Sequence, residues 1–371
     1  MKKRIAVLGA TGSIGKNSLD VISRNKDDFE VVLLSAHSSR RELDNLKKKW
    51  PSAVCVLSGE GASPNGGKEK LIQAIKSVRA DITINGICGS AGLEPSLAAI
   101  ESGSNLALAN KETIVMAGKL AFRLAEEKNV KIIPVDSEHS AIFNLLEAHG
   151  SAEEIILTAS GGPFRKLSLK EMENVSAQDA LAHPTWKMGP KISIDSASMA
   201  NKGLEIIEAC VLFDMPPEKI KVVIHPQSIV HSMVRLSNGV INAQLSKPDM
   251  RHPIHDALYW PRTVPSSLDT LSFDSLTLEF EKPDSQKFPM LTLAWEAASR
   301  GGLYPCAYNA ANEEAAAAFI NRRIGFLDIP KVTNYVLAED WSAACLDKES
   351  VLKADADARL RAVSYIDKNM S

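Results

Sequence analysis

Arg4-Ile5-Ala6-Val7-Leu8 runs directly into Gly9-Ala10-Thr11-Gly12-Ser13-Ile14-Gly15, and the fold of this chain turns on that stretch. An apolar run of strand length meets glycines spaced Gly-x-x-Gly-x-x-Gly, and a helical pattern begins near Ile14. Glycine lets the backbone reverse sharply and approach a pyrophosphate, whose charge the amides at the start of the following helix then meet. The strand–turn–helix setting favours a dinucleotide loop over a tight turn without a ligand, with Thr11, Gly12, Ser13 and Ile14 as its contact residues. A P-loop fails on detail: Gly15-Lys16 is followed by Asn17, where Ser or Thr should hold magnesium.

Outward from this loop, short apolar runs at 4–8, 30–36, 53–57, 81–85, 105–109 and 131–135 alternate with amphipathic stretches at 41–50, 69–79, 94–102 and 112–128. That rhythm predicts βαβ units and a parallel sheet covered on both faces. The second run ends at Ala36, where an NAD site would place an acid on the ribose hydroxyls; His37-Ser38-Ser39-Arg40-Arg41 stands there instead. Hydroxyls and guanidinium groups suit a 2′-phosphate, so Ser38 and Ser39 join the expected cofactor residues and NADPH is the expected cofactor.

After Gly150 the rhythm changes. Ser168-Leu169-Lys170-Glu171 reads as a capping box. A long helical segment is expected through 192–213, and strands at 221–225, 229–236 and 240–245, the last two joined at Ser237-Asn238-Gly239. Residues 261–283 lack periodicity. Four Ala- and Leu-rich segments at 291–299, 309–320, 329–339 and 350–366 predict a helical bundle. The expected fold is α/β, with a Rossmann-type parallel sheet over 1–135, a central α+β catalytic and dimerisation domain over 136–260, a linker over 261–285 and a C-terminal helical bundle over 286–371.

Composition limits what such a chain does. At 371 residues it exceeds one core, and 45% hydrophobic with 24% charged residues is ordinary globular content. A net charge of -2 with no long basic run argues against a nucleic-acid surface. Five scattered cysteines without a C-x-x-C pair fit a reducing compartment better than a disulfide or zinc framework. Glycines break the apolar stretch behind Met1-Lys2-Lys3-Arg4, which therefore reads as a strand and not a signal peptide. No apolar run is long enough to span a bilayer, so no membrane partner and a cytoplasmic location are expected.

The chemistry-bearing acids are Asp136 and Glu138, placed at the carboxyl end of the sixth run, and Glu205, on the helical segment carrying Ser198, Asn201 and Lys202. The carboxylates of Asp136 and Glu138 converge if the strand ends in a bend. Oxygen donors without paired Cys or His point to a hard cation such as Mg²⁺ or Mn²⁺. On spacing alone a plainer account stands beside this one: surface acids, with Glu205 paired to Lys202.

Several motifs occur together and in order: Ala109-Asn110-Lys111-Glu112, Val135-Asp136-Ser137-Glu138-His139-Ser140, Thr158-Ala159-Ser160-Gly161-Gly162-Pro163, His183-Pro184-Thr185-Trp186-Lys187-Met188-Gly189, Asp195-Ser196-Ala197-Ser198-Met199-Ala200-Asn201-Lys202-Gly203-Leu204-Glu205, His225-Pro226-Gln227-Ser228 and Asn309-Ala310-Ala311-Asn312-Glu313. With the glycine loop, this set closely resembles the 1-deoxy-D-xylulose 5-phosphate reductoisomerase family over nearly the whole chain. The resemblance implies isomerisation of deoxyxylulose phosphate to a branched aldehyde phosphate, then NADPH reduction to 2-C-methyl-D-erythritol 4-phosphate in non-mevalonate isoprenoid synthesis. It implies a homodimer and a divalent metal (Mg²⁺, Mn²⁺ or Co²⁺) on Asp136, Glu138 and Glu205. It places catalysis on Lys111, Glu138 and His183, and phosphate binding on Ser160, Ser196, Asn201 and Lys202. Lys111 and Ser137 would contact the substrate backbone, and His183, Trp186 and Met188 would lie on a flap closing over it. Asn110, Glu112, Gly189 and Met250 complete the implied cofactor set.

The chain departs from the family after the second strand, where Gly or Ala, a basic or polar residue and then Asn are usual; His37-Ser38-Ser39 leaves the grip on the 2′-phosphate open. Other readings are an NADP-dependent reductase of a small phosphorylated aldehyde, a cysteine-nucleophile reductase using Cys88, and a non-catalytic NADP sensor. A short-chain epimerase is excluded, since no tyrosine is followed four residues later by lysine.

Overall fold

The computed structural model of the chain describes residues 1–59, 67–181, 189–344 and 347–370, which divide into two compact units. The first holds Met1–Thr113, Ala121–Ser140 and Asp249–Asp269; the second holds Ile114–Leu120, Ala141–Pro248 and Thr270–Ser371. These units cut the chain elsewhere than at 135, 260 and 285.

In the first unit, β1 (Lys3–Leu8), β2 (Phe29–Ala36), β3 (Val54–Leu57), β4 (Ile82–Asn85), β5 (Asn105–Leu108) and β6 (Ile132–Pro134) alternate with α1 (Ser13–Arg24), α2 (Arg40–Lys49), α3 (Lys68–Val78), α4 (Leu93–Glu101) and α5 (Lys111–Lys128). The sheet order is β3-β2-β1-β4-β5-β6 and every pairing is parallel. Continuous burial along β1, β2, β4 and β5 follows from helices covering both faces, which selects apolar runs over alternation. The order reverses between β1 and β4, and the crevice beyond the carboxyl ends of such strands is where open α/β sheets bind ligands.

A helix not anticipated from the sequence, α11 (Arg251–Tyr259), completes this unit against α1. Ile254 and Leu258 are fully buried, Arg251 Nη1 donates to Asp20 Oδ2 at 2.9 Å, and Tyr259 meets Phe29 edge-on at 5.0 Å. Its apolar face is short and interrupted by Pro253, and its partners, α1, β5, β6 and Phe29 at the start of β2, all lie far away in sequence. α5 itself is broken at Ala117 (φ -144°), and its middle turns belong to the second unit.

The second unit carries a mixed sheet of order β10-β9-β7-β8, built from β7 (Glu154–Ala159), β8 (Ile220–Ile224), β9 (Val230–Arg235) and β10 (Ile241–Leu245). β7 runs parallel to β8 and antiparallel to β9, and β9 and β10 form a hairpin through the expected Ser237-Asn238-Gly239 turn, with Gly239 at φ +85°. The capping box at Ser168 opens the short α7 (Leu169–Met172), and α8 (Ala177–Leu181) comes next.

The helical segment expected through 192–213 is two helices, α9 (Pro190–Ala197) and α10 (Ala200–Leu212), because Met199 adopts the left-handed region at φ +63°. Ser198 therefore lies in the break, not on the helix of Glu205, and its hydroxyl accepts the Ala200 amide at 3.3 Å. The aperiodic stretch after α11 carries no helix or ladder strand, only a bridge from Glu281 to Ile224.

The four expected C-terminal helices are α12 (Pro289–Arg300), α13 (Tyr304–Ile320), α14 (Ile329–Leu337) and α15 (Lys348–Asn369). α13 is buried on nearly all sides by α9, α12, α14 and α15, which its alanines permit by letting backbones approach closely.

Candidate active-site elements

In the first unit, Gly9 takes φ +74°, and a Cβ there would lie 2.8 Å from the Gly86 carbonyl oxygen. At Gly15 a Cβ would lie 2.4 Å from Gly9 O and 2.5 Å from Ala10 Cα, so the loop folds back onto its own helix with no room for a side chain. Gly12 stands at the N-cap of α1 without a side-chain cap. The amides of Ser13 and Ile14 thus have no carbonyl within the helix to bond. Thr11 and Ile14 are half-buried and Ser13 is exposed.

The end of β2 lies beside this loop: Ser35 Oγ accepts the Gly9 amide at 3.2 Å, and Ser35 O the Ala10 amide at 2.7 Å. His37, Ser38 and Arg40 beyond it are exposed, and Ser39 precedes α2. Asn110 is a locked residue. Its Oδ1 caps α5 through the Thr113 amide at 3.0 Å, and its Nδ2 donates to Ile87 O and Gly89 O (2.8 Å each) and to Glu112 Oε2 (2.9 Å). Asn110 and Glu112 therefore tie the β4 loop to the β5 loop. Met250 is half-buried at the N-cap of α11 and is not a fully packed core methionine.

Asp136, Ser137 and Glu138 come together with Lys111. β6 ends at Pro134, and beyond Asp136 the chain forms a helix, α6 (Ser137–His149), where the sequence left convergence of the two acids conditional on a bend. The two acids therefore straddle a helix start, where unsatisfied amides favour negative charge. Asp136 Oδ1 accepts the Glu138 amide at 3.3 Å, Asp136 Oδ2 lies 2.8 Å from Lys111 Nζ, and the Ser137 hydroxyl donates to Glu138. Burial alone would raise the Asp136 carboxyl; the Lys111 ammonium and the His139 ring outweigh it and hold Asp136 well below the usual carboxylate range.

His139 is the residue that spacing missed. It is fully buried, with Nδ1 3.2 Å from Asp136 Oδ1, and one helical turn after Asp136 was the available signal.

In the second unit, Ser160 ends β7 and leads into Gly161 and Gly162, both at positive φ. A Cβ on Gly162 would lie 2.5 Å from Ser196 O, so this loop rests directly on the end of α9. Ser196 and Asn201 are half-buried at the α9–α10 break, with Lys202 and Glu205 buried on α10. Lys202 pairs with Glu205, and Asn201 Nδ2 donates to the same carboxylate. The plainer Lys202–Glu205 pairing is thus present, but at 4% and 1% side-chain exposure it is no surface ion pair. A small-hydroxyl loop, an ammonium, an amide and the amino end of α10 are donor types that a phosphate monoester can use. Gly189 caps α9. His183, Trp186 and Met188 lie outside the described residues.

Comparison with known proteins gives three family models in sequence order. That for 1-deoxy-D-xylulose 5-phosphate reductoisomerase matches residues 5–118, its C-terminal domain model matches 132–213, and a second C-terminal domain model of DXP reductoisomerase matches 245–361. A 1-deoxy-D-xylulose 5-phosphate reductoisomerase from Treponema denticola is 51% identical, with 98% of this chain and 97% of that protein covered. The solved enzyme from Zymomonas mobilis in complex with NADPH superposes with a TM-score of 0.91 at 41% identity, covering 99% and 100% of the two chains. A DOX-P reductoisomerase solved with NADPH, fosmidomycin and magnesium gives 0.91 at 36% identity and 98% coverage of each.

Proposed function

The chain belongs to the 1-deoxy-D-xylulose 5-phosphate reductoisomerase family, and from that membership we propose how its own residues divide the work. It is an NADPH-dependent oxidoreductase that isomerises 1-deoxy-D-xylulose 5-phosphate and reduces the product to 2-C-methyl-D-erythritol 4-phosphate. The observation that carries the residue assignment is the α9–α10 break, where Ser196 backs the Gly162 turn after Ser160 and Asn201, Lys202 and Glu205 follow at the start of α10. There a phosphate monoester finds one ammonium, one amide and the hydroxyls of Ser160 and Ser196.

The relatives solved with magnesium support a divalent cation, and the donor chemistry fits one. Asp136, Glu138 and Glu205 are assigned as its ligands, all through oxygen, as Mg²⁺, Mn²⁺ or Co²⁺ accepts. When bound, the cation supplies Lewis acidity to the ketone oxygen and the neighbouring hydroxyl. Lys111 and His139 keep Asp136 ionised and fixed in direction. Lys111 and Ser137 orient the substrate backbone, and Glu138 is the carboxylate beside the carbons that exchange bonds. His183, Trp186 and Met188 are assigned to the flap that excludes water during hydride transfer.

NADPH is assigned to the amides and side chains of Thr11, Gly12, Ser13 and Ile14, with the exposed Ser38 and the half-buried Ser39 toward the 2′-phosphate. Asn110 and Glu112 act by fixing the loops around it, Gly189 by heading α9, and Met250 by covering the nicotinamide. The test is spectrophotometric: loss of NADPH absorbance should require both deoxyxylulose phosphate and a divalent metal. No loss with folded, NADPH-competent protein would reject the assignment.

A homodimer is supported by β10, the outer strand of its sheet, which leaves Val240 and Ile241 exposed at 51% and 44%. Ile241→Lys is expected to shift the sedimenting species from dimer toward monomer; an unchanged dimer would place the interface elsewhere. No helix among the described residues is long and apolar enough to cross a membrane. Cys55 and Cys210 stand as free thiols, which supports a reducing, cytoplasmic setting.

A further inference from the structure

The motif Asn309-Ala310-Ala311-Asn312-Glu313 lies on α13, in the helical layer, and none of the assigned steps uses it. Asn312 is fully buried, and its Nδ2 donates at 2.9 Å to Oδ1 of Asp195 on α9. Asp195 is 1% exposed, and its other oxygen lies 2.7 Å from Lys191 Nζ, one turn earlier on the same helix. A buried carboxylate is costly unless charge and hydrogen bonds meet it, and an apolar replacement of such a group is often neutral or stabilising. The Asn312 Oδ1 accepts no hydrogen bond from the described residues, a cost that leucine would avoid. The amide therefore owes its presence to what it donates.

What it donates to is one residue from the phosphate group. Asp195 immediately precedes Ser196, whose carbonyl supports Gly162, and the Asp195 carbonyl accepts the Ser198 hydroxyl at 3.3 Å in the break before α10. The left-handed Met199 follows Ser198, so α9 does not continue; the Ser198 and Met199 amides close its last turn on Ile194 O and Ser196 O at 3.0 and 3.2 Å, and the Asn312–Asp195 bond ties that turn to α13. We propose that Asn312 is a positioning residue for phosphate recognition: through Asp195 it fixes the end of α9, and so Ser196 and the start of α10, in the geometry that receives the substrate phosphate.

This rests on the phosphate assignment above, and the experiment separates the two. Steady-state constants for deoxyxylulose phosphate and for NADPH are measured for the wild type, Asn312→Leu and Asn309→Leu, each with a thermal unfolding curve. Asn309 is the control. It is fully buried one turn earlier on α13, with an Oδ1 likewise without a described partner, but its Nδ2 bonds Glu313 at 3.2 Å and not α9.

The expected result is a rise of about tenfold in KM for the sugar phosphate with Asn312→Leu, worth ~1.4 kcal/mol. With it, kcat should change less than KM, and KM for NADPH should hold within twofold. Asn309→Leu should leave both KM values unchanged even if its melting point falls. A sugar-phosphate KM within twofold of wild type for Asn312→Leu, or an equal rise for Asn309→Leu, overturns the proposal.

If Asn312→Leu does not fold, Asn312→Asp decides. Its new carboxyl opposes Asp195 when ionised and donates to it when protonated, so the raised KM should fall as pH is lowered; a KM equal to wild type at every pH overturns the inference. Failure of the wild type to oxidise NADPH with deoxyxylulose phosphate and metal would instead remove the functional reading itself.

Discussion

Glu205→Gln should leave a folded protein that binds NADPH normally and turns over at about one thousandth of the wild-type rate or less, a loss of ~4 kcal/mol in transition-state stabilisation. The substitution keeps the shape of a side chain that is 1% exposed and held by Lys202 and Asn201 on α10. It removes the charge proposed to bind the cation, while the amide oxygen still accepts from Lys202. NADPH affinity should stay within twofold, since the glycine loop belongs to the other compact unit. The measurements are kcat in saturating Mg²⁺ or Mn²⁺ and NADPH binding by fluorescence titration. Wild-type turnover by this variant at any metal concentration would remove Glu205 from the ligand set.

Gly15→Ala comes second in expected effect and acts at the opposite end of the chemistry. The added Cβ would fall within 2.4–2.6 Å of Gly9 O, Ala10 Cα and Ala10 C, all backbone atoms that no rotamer change relieves. The loop must shift, at an overpacking cost of roughly 1–3 kcal/mol, and the Ser13 and Ile14 amides move off the pyrophosphate. KM for NADPH should rise by about 10- to 100-fold, with a far smaller change in KM for the sugar phosphate. An NADPH KM within twofold of wild type would mean that the cofactor does not rest on this turn.

Both expected effects start from features visible in the sequence, but to different depths. The glycine spacing, the apolar runs and the absence of an acid after Ala36 lead directly to the parallel sheet and its cofactor. They do so because each reports a local constraint: backbone room at a turn, burial on two faces, charge next to a phosphate. The same holds for the Ser168 capping box and the Asn238-Gly239 hairpin, whose stabilising contacts lie within a few residues, and for the positions of the four C-terminal helices, which their own periodicity marks.

The acids are legible as a set only through their motifs. Spacing alone leaves Glu205 with Lys202, and that pair is indeed formed. The local shape at Asp136, on which convergence with Glu138 was conditional, is a helix start. Pro134 ends β6 early, and the Asp136 carboxylate then meets the first turn of α6.

What the sequence determined by itself was the alternation of the parallel sheet, the glycine turn after β1, the C-terminal helices and the chemical character of each candidate site residue. The tertiary structure decided the rest. It split the expected helix at Met199, recruited α11 onto α1, buried His139 against Asp136, and ran a hydrogen bond from Asn312 to Asp195 across 117 residues of chain. The reason is physical: a helix break, a borrowed helix or a buried polar pair is stabilised by partners far away in sequence. Neither periodicity nor local propensity carries that information.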